Sequence, residues 1–255
     1  MRQRDREDLI RAAGRVVTAR PIHDVVEVAV IGVPEPPVEG SPGSLRVLPE
    51  VIARVRELGC RVVRGNADRW LLEGLPPGRS AETRRLGKVV AWARARLAPA
   101  DLDYLAALPQ TLSIGSAAGP SLFCFHGSPR ADLDSLLATT PEAELDDLLA
   151  EAPQATLNAA GHTHLQLLRR HRDRLVVNPG SVGLPLGSLT ASPTAPRLPA
   201  WAEYAVVQDD GGLEIAFRRL RVDVEALAAA TAAMPCPTWA ADLERRIRRW
   251  NARAR

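Results

Sequence analysis

Short apolar runs alternate with helical stretches along the chain, and this alternation constrains the fold more than any other feature. The runs VVEVAVIGV (25–33), CRVVR (60–64) and SLFCF (121–125) are rich in β-branched or aromatic residues and have the length of strands. Between them, residues 48–58 and 81–97 repeat apolar positions with the helical period. Strands that alternate with helices predict a layered α/β domain.

The ends of this pattern predict different local structures. Residues Arg4–Arg20 have apolar positions on one helical face, so we expect a helix there and no strand before Val25. Towards the C-terminus, residues 165–178 and 203–220 indicate two hairpins, the second turning at DDGG. Hairpins are antiparallel whereas β-α-β units are parallel, so the pattern predicts mixed sheets.

Composition limits the possible classes of protein. A length of 255 residues with 46% hydrophobic residues suits one large domain. No apolar run approaches the roughly 18 residues of a membrane span, and the start MRQRDRED is too charged for a secretory signal. The three cysteines are widely spaced, which is typical of a reducing compartment. We therefore expect a cytoplasmic protein with no membrane association.

The C-terminal segment is strongly basic, with six arginines between Arg245 and Arg255. Such a segment can be a solvated helix face or a contact for nucleic acid. It has only one aromatic residue, Trp250, and no DNA-binding motif, so the solvated helix is the favoured interpretation and nucleic acid is not an expected partner.

The sequence Gly161-His162-Thr163-His164 follows a predicted strand and carries the strongest chemical signal. On an extended backbone, two histidines one residue apart point to the same side. Neutral imidazoles bind Zn²⁺, Mn²⁺ or Fe well. Both histidines are therefore predicted to face one metal cluster.

Two other predicted strands also end on side chains that can bind metals. His126 follows SLFCF directly, and Asn66 follows CRVVR after one glycine. Ligand sites in open α/β sheets lie at the carboxyl ends of strands. We therefore expect Asn66, His126, His162 and His164 to converge, and we expect exposed positions for His23 and His171, which fall in predicted turns.

The chain contains four motifs in order: GNADRW, FCFHGSPR, AAGHTHLQ and VVNPGSVGLP. Together they resemble the motifs of the calcineurin-like metallophosphoesterases, most closely the compact bacterial branch that includes small phosphodiesterases. The resemblance spans about Leu48–Val224. It implies a β-sandwich of mixed sheets flanked by helices, in one domain of residues 1–255. Within that domain residues 1–47 are divergent, 48–224 are family-like, and 225–255 form C-terminal helices.

The resemblance also implies roles for single residues. Asn66, His126 and His162 match three ligands of one metal ion, and His164 matches a ligand of a second. Asp68 matches the aspartate of the family's G-N-H-D motif, and Ser181 lies in the glycine-rich turn beside the site; both are expected to support the ligands. Family members use two divalent transition metals (Mn, Fe, Zn or Ni) to hydrolyse a phosphoester.

The first two metal motifs of the family, D-x-H and G-D-x-x-D, are not recognisable. Ile10 stands where the first motif needs histidine, and Val33 follows Gly32 where the second needs aspartate. Glu35 is a candidate replacement for the bridging carboxylate, although an exposed loop glutamate is the simpler interpretation. Ala67 replaces a histidine that protonates the leaving group in many relatives.

These departures leave three hypotheses. The chain is a metal-dependent phosphodiesterase or phosphomonoesterase that binds at most one metal and is impaired, or it is a non-catalytic relative with a binding or regulatory role. Alternatively, a change of reading frame in the coding DNA explains the divergent residues 1–47. A phosphoester is the expected substrate, an oligomer is compatible with the resemblance, and the pattern does not identify the substrate further.

Overall fold

The computed structural model of the protein describes residues 17–22, 25–30, 48–78, 80–115, 122–182, 201–209 and 212–221. The strands in these residues are β1 Val17–Ile22, β2 Val25–Val30, β3 Arg61–Val63, β4 Thr111–Ile114, β5 Leu122–Phe125, β6 Leu157–Ala159, β7 Gln166–His171, β8 Arg174–Pro179, β9 Trp201–Asp209 and β10 Leu213–Arg221. The helices are α1 Leu48–Leu58, α2 Asn66–Glu73, α3 Ala81–Arg94, α4 Pro99–Ala106 and α5 Glu142–Leu148. No described helix has the length and apolar character needed to span a membrane.

The strands form two five-stranded sheets. One has the order β10-β9-β2-β1-β3 and is antiparallel throughout. The other has the order β4-β5-β6-β8-β7 and is mixed, with parallel pairing of β5 with β6 and of β6 with β8. The predicted hairpins β7–β8 and β9–β10 are confirmed.

Alternation of side chains along the strands builds a four-layer structure. Val63 of β3 and Cys124 of β5 belong to the core between the sheets, whereas their neighbours Val62 and Phe123 face outward. This is the period of two that a strand imposes. Helices α1 to α4 pack against the outer face of the antiparallel sheet, and α5 packs against the mixed sheet. The predicted fold class, a β-sandwich of mixed sheets flanked by helices, is confirmed, although only one of the two sheets is mixed and the other is antiparallel throughout.

The prediction of a helix over Arg4–Arg20 is wrong for its last four residues, since β1 begins at Val17. β1 pairs with β2 on one side and with β3 on the other. Its segment VTARPI contains β-branched residues and a proline, and proline breaks a helix interior. The expectation that no strand precedes Val25 is also wrong, because β1 does and pairs with β2. Residues 1–16, 31–47 and 222–255 lie outside the described residues.

Two elements near the candidate site were not predicted. α2 begins at Asn66, immediately after the strand that delivers it, and its first turn includes Asp68. β4 forms the edge of the mixed sheet and pairs with β5, the strand that precedes His126. Both elements therefore help to position predicted ligands.

Candidate metal centre

The candidate ligands come from both sheets. Asn66 follows β3 of the antiparallel sheet, whereas His126 follows β5 and the pair His162 and His164 follows β6 of the mixed sheet. β5 and β6 are adjacent and parallel, so their carboxyl ends meet at one edge. The backbone N–H of Gly161 donates a hydrogen bond of 2.7 Å to the carbonyl of His126, which fixes the two loops together.

Asn66 and His126 are in direct contact. Nε2 of His126 lies 2.7 Å from Oδ1 of Asn66, and both residues are buried. The imidazole occupies space that exists because residue 65 has no side chain: a Cβ on Gly65 would lie 3.0 Å from Cε1 and from Nδ1 of the ring. The close pair is therefore built by the sequence Gly65-Asn66 together with His126.

His162 joins this pair. The ring centroids of His126 and His162 are 5.3 Å apart, with the planes inclined by 68°. His164 is buried and lies two residues further along the same loop. Both His162 and His164 have φ of 59°, so the expectation of an extended backbone through this segment is wrong. Instead, the chain bends after Gly161, and both histidines adopt the left-handed backbone conformation.

Asn178 fixes the conformation of this bent loop through side-chain hydrogen bonds. Its buried side-chain amide donates to the carbonyl of Gly161 at 2.6 Å and to Oγ1 of Thr163 at 3.0 Å. Its Oδ1 accepts a hydrogen bond of 3.0 Å from the N–H of Gly180. One side chain at the end of β8 therefore orders both the histidine loop and the glycine-rich turn.

Asp68 and Ser181, the residues predicted to support the ligands, are both buried and each accepts a backbone hydrogen bond. Oδ2 of Asp68 accepts a hydrogen bond of 2.9 Å from the N–H of Gly65, which caps α2 and orders the residue before Asn66. The carbonyl of Ser181 accepts the N–H of Glu203 at 2.8 Å. Burial raises the pKa of the Glu203 carboxyl, and the guanidinium of Arg219, 2.8 Å away, opposes this shift.

His171 differs from its prediction. Only 3% of its surface is exposed, so the expectation of an exposed turn residue is wrong. Its Nδ1 lies 2.7 Å from Glu142 and its Nε2 lies 2.9 Å from Asp146. These carboxylates of α5 cover the ring because the hairpin β7–β8 folds against that helix. Glu35 and His23 lie outside the described residues.

The chemistry of the donors fits a transition metal ion. The three gathered side chains supply one amide oxygen and two imidazoles, all neutral ligands that transition metals accept. The separation of 2.7 Å between Asn66 and His126 is close to the spacing of neighbouring ligands around one ion at metal–ligand distances of about 2.0–2.2 Å. Within the described ranges, no three His, Cys, Asp or Glu side chains form a group able to hold an ion. Among the described residues His126, His162 and His164 thus do not form such a group, and a single ion would need Asn66 as a ligand beside His126 and His162.

A basic cleft adjoins the candidate ligands and was missed by the sequence analysis. It has a volume of about 240 Å³, and the residues lining it include His126 and the three arginines Arg64, Arg69 and Arg130. The sequence contained a signal for this cleft: Arg64 directly precedes the run GNADRW, Arg69 lies within it, and Arg130 ends the run FCFHGSPR. Motif comparison assigns metal ligands and leaves such neighbours without a role.

Several solved structures resemble the fold, including the following two. A hypothetical protein from Pyrococcus horikoshii has a TM-score of 0.62 and 18% identity, with 82% of this chain and 81% of that chain covered. A metallophosphoesterase from Sphaerobacter thermophilus has a TM-score of 0.53 and 23% identity, with 76% of this chain and 80% of that chain covered. No curated protein matches the sequence significantly.

A family model extends the likeness from fold to sequence. Residues 43–195 match the calcineurin-like phosphoesterase superfamily domain, a stretch that contains Asn66, His126, His162 and His164. The match covers more than half of the 255 residues. On this match, and in agreement with the two-sheet architecture, the chain belongs to the calcineurin-like phosphoesterase superfamily.

Proposed function

We propose that the protein is a metal-dependent phosphoester hydrolase in which Asn66, His126 and His162 bind one divalent transition metal ion per chain. The observation that supports this most strongly is the buried contact of 2.7 Å between Nε2 of His126 and Oδ1 of Asn66, with the ring of His162 beside it. A divalent ion bound there would act as a Lewis acid on the phosphate group. The chain's own residues would fix its position through the hydrogen bonds of Asp68 and Asn178.

The same residues limit the reaction that we propose. His164 is assigned to a second ion by the resemblance, and among the described residues no three His, Cys, Asp or Glu side chains form a group able to hold such an ion. Ala67, buried in the first turn of α2, cannot donate a proton to a leaving group. A general acid typically contributes about 10²–10⁴-fold to a rate. We therefore expect slow hydrolysis, restricted to phosphodiesters or phosphomonoesters with acidic leaving groups such as aryl alcohols.

The proposal is tested by metal content and turnover of the purified full chain. We expect one equivalent of Mn²⁺ per chain and slow hydrolysis of an aryl phosphodiester. His126→Ala should abolish both, whereas His171→Ala removes a buried histidine at the end of β7 that lies away from the candidate centre and should preserve both. Two bound equivalents would contradict the single-ion site and make Glu35 the first residue to test as a replacement ligand.

A non-catalytic role is the second candidate, because the described residues offer too few ligands for two ions. In that case the chain would bind one metal ion and a phosphoester without hydrolysing it. Metal binding that depends on His126, combined with no turnover of any aryl phosphoester, would favour this function over hydrolysis.

A further inference from the structure

The basic cleft beside His126 collects arginines from three different elements. Arg64 follows β3, Arg69 lies on α2, and Arg130 lies in the loop after β5. The described residues that line it also include Gln110, Ser128 and Asp132. Its volume of about 240 Å³ greatly exceeds the roughly 30 Å³ that one water molecule occupies in the liquid. A hydrated phosphate group therefore fits beside the candidate ligand His126.

Two of the three arginines are oriented by carboxylates. Arg69 forms a bidentate pair with Asp132, with Nε–Oδ2 and Nη2–Oδ1 distances of 2.7 and 2.9 Å. This hydrogen-bonded pair raises the pKa of Arg69. Nε of Arg130 lies 3.1 Å from Oδ2 of Asp134. Each carboxylate neutralises one guanidinium and fixes its direction.

Arg64 is different. Within the described ranges its guanidinium makes neither an ion pair nor a side-chain hydrogen bond, although its backbone N–H donates to the carbonyl of Pro109 at 2.8 Å. The cleft therefore has a positive charge that no described carboxylate compensates. A guanidinium offers five N–H donors in a planar fork that matches two phosphate oxygens.

The wall that carries Arg130 is pre-formed. Oγ of Ser128 accepts the N–H of Ala131 at 3.1 Å and donates to Oδ2 of Asp134 at 2.6 Å. The N–H of Ser128 donates to the carbonyl of Ala131 at 2.8 Å. Gly127 has no room for a side chain, since a Cβ would lie 2.6 Å from the same carbonyl oxygen. A loop closed in this way loses little conformational entropy when it binds an anion.

We propose that this cleft binds a second phosphate group of the substrate, one that is not hydrolysed, with Arg64 as its principal contact. The inference rests on the proposed function for the position of the reacting phosphate, which is held at Asn66, His126 and His162. The substrate class is then a phosphoester that carries a further phosphate next to the scissile one, as in a diphosphate-bearing ester. A substrate with a single phosphate would leave the cleft to solvent.

The binding half of this proposal is tested without metal or turnover, by calorimetry of pyrophosphate and of orthophosphate with the chelator-treated full chain. We expect Arg64→Gln to weaken pyrophosphate binding at least tenfold. Arg61→Gln changes an exposed arginine three residues earlier, at the start of β3, and should leave it unchanged. Thermal unfolding of both variants checks that they are folded. Equal pyrophosphate affinity in Arg64→Gln and wild type, equal losses in both variants, or no measurable binding to wild type would overturn the proposal.

The substrate half is tested with Mn²⁺ and two aryl phosphoesters, one with a single phosphate and one with a second phosphate attached. We expect Arg64→Gln to raise KM about tenfold or more for the second substrate only, with kcat little changed. An equal rise for both substrates would contradict a separate second-phosphate contact. Absence of turnover on both substrates would contradict the proposed hydrolysis. The calorimetric result would still show whether the cleft binds a phosphate group.

Discussion

At the scale of single residues, Gly65 is required because the His126 ring leaves no space for a side chain at position 65. Its backbone has φ of −98° and ψ of 173°, which any residue can adopt, so no conformational requirement selects glycine here. The requirement is steric, because a Cβ would lie 3.0 Å from two ring atoms of His126. Ordinary contacts between carbon atoms are about 3.5–4.0 Å.

We therefore predict that Gly65→Ala displaces the His126 ring and lowers the affinity for Mn²⁺ about 10- to 100-fold, the usual cost of disturbing the support of a metal ligand. Titration calorimetry of the metal-free chain measures this. Gly87→Ala is the matched control, since Gly87 lies within α3 and a Cβ there meets nothing within 4 Å. The control should keep its metal affinity and gain about 0.5–1 kcal/mol of stability from helix propensity. Unchanged metal affinity in Gly65→Ala would contradict the steric argument.

At the scale of elements, α5 is tied to the hairpin β7–β8 by charge. Glu142 contacts both Arg169 and His171 of β7. The hydrogen bond from Arg169, and after it the one from His171, holds the pKa of the Glu142 carboxyl below its usual value. A carboxyl with a lowered pKa in the folded state stabilises the fold above the pKa of the unfolded chain, about 4.3 for glutamate. That contribution is lost as the pH falls through the lower folded value.

The expected outcome is a pH-dependent difference between wild type and Glu142→Gln. Wild type should be the more stable protein at pH 6, and the difference should shrink as the pH falls from about 4.3 downwards. Urea unfolding at a series of pH values measures it. Glu144→Gln is the control: Glu144 is an exposed residue of the same helix, and its carboxyl forms no ion pair with the described residues. The stability of this variant should equal that of wild type at each pH. A difference that is constant across this pH range would show that the charge of Glu142 is not responsible.

The elements also show what the sequence could predict. Long periodic segments and strong turns, such as α1 and the hairpin β9–β10, were predicted because their signals are local. β1 was not, because a helical arrangement of apolar residues in Arg4–Arg20 concealed a strand whose stability comes from pairing with β2 and β3. Tertiary pairing overrides local preference in this way.

In the candidate site, too, the features with local sequence signals could be predicted and those that depend on distant contacts could not. Asn66 and His126 could be placed together because each follows a strand within a recognisable motif. The left-handed backbone at His162 and the burial of His171 depend on Asn178 and on α5, contacts that are distant in sequence. The arginine cleft likewise exists only once β3, α2 and the loop after β5 meet.

At the scale of the whole molecule, the candidate centre joins the two sheets. Asn66 is delivered by the antiparallel sheet, whereas His126 and His162 are delivered by the mixed sheet. An ion bound by all three would therefore crosslink the two halves of the sandwich and would be lost when they separate. Binding to the folded state alone stabilises it in proportion to the logarithm of ligand concentration.

The increase in the free energy of unfolding that Mn²⁺ causes should differ between variants of the two histidines, His162 and His164. At a Mn²⁺ concentration 100 times the dissociation constant, we expect the free energy of unfolding of wild type to rise by about 2.7 kcal/mol. His162→Ala should abolish this increment, because His162 lies against His126 in the single-ion site. His164→Ala is the matched variant: it removes a ring from the same loop, with the same φ of 59°, and should lower stability without metal yet retain the increment. Urea unfolding with and without Mn²⁺ separates the two effects. Loss of the increment in both variants would mean that His164 shares the ion or that a second ion binds, and retention in both would remove the histidine loop from the metal centre.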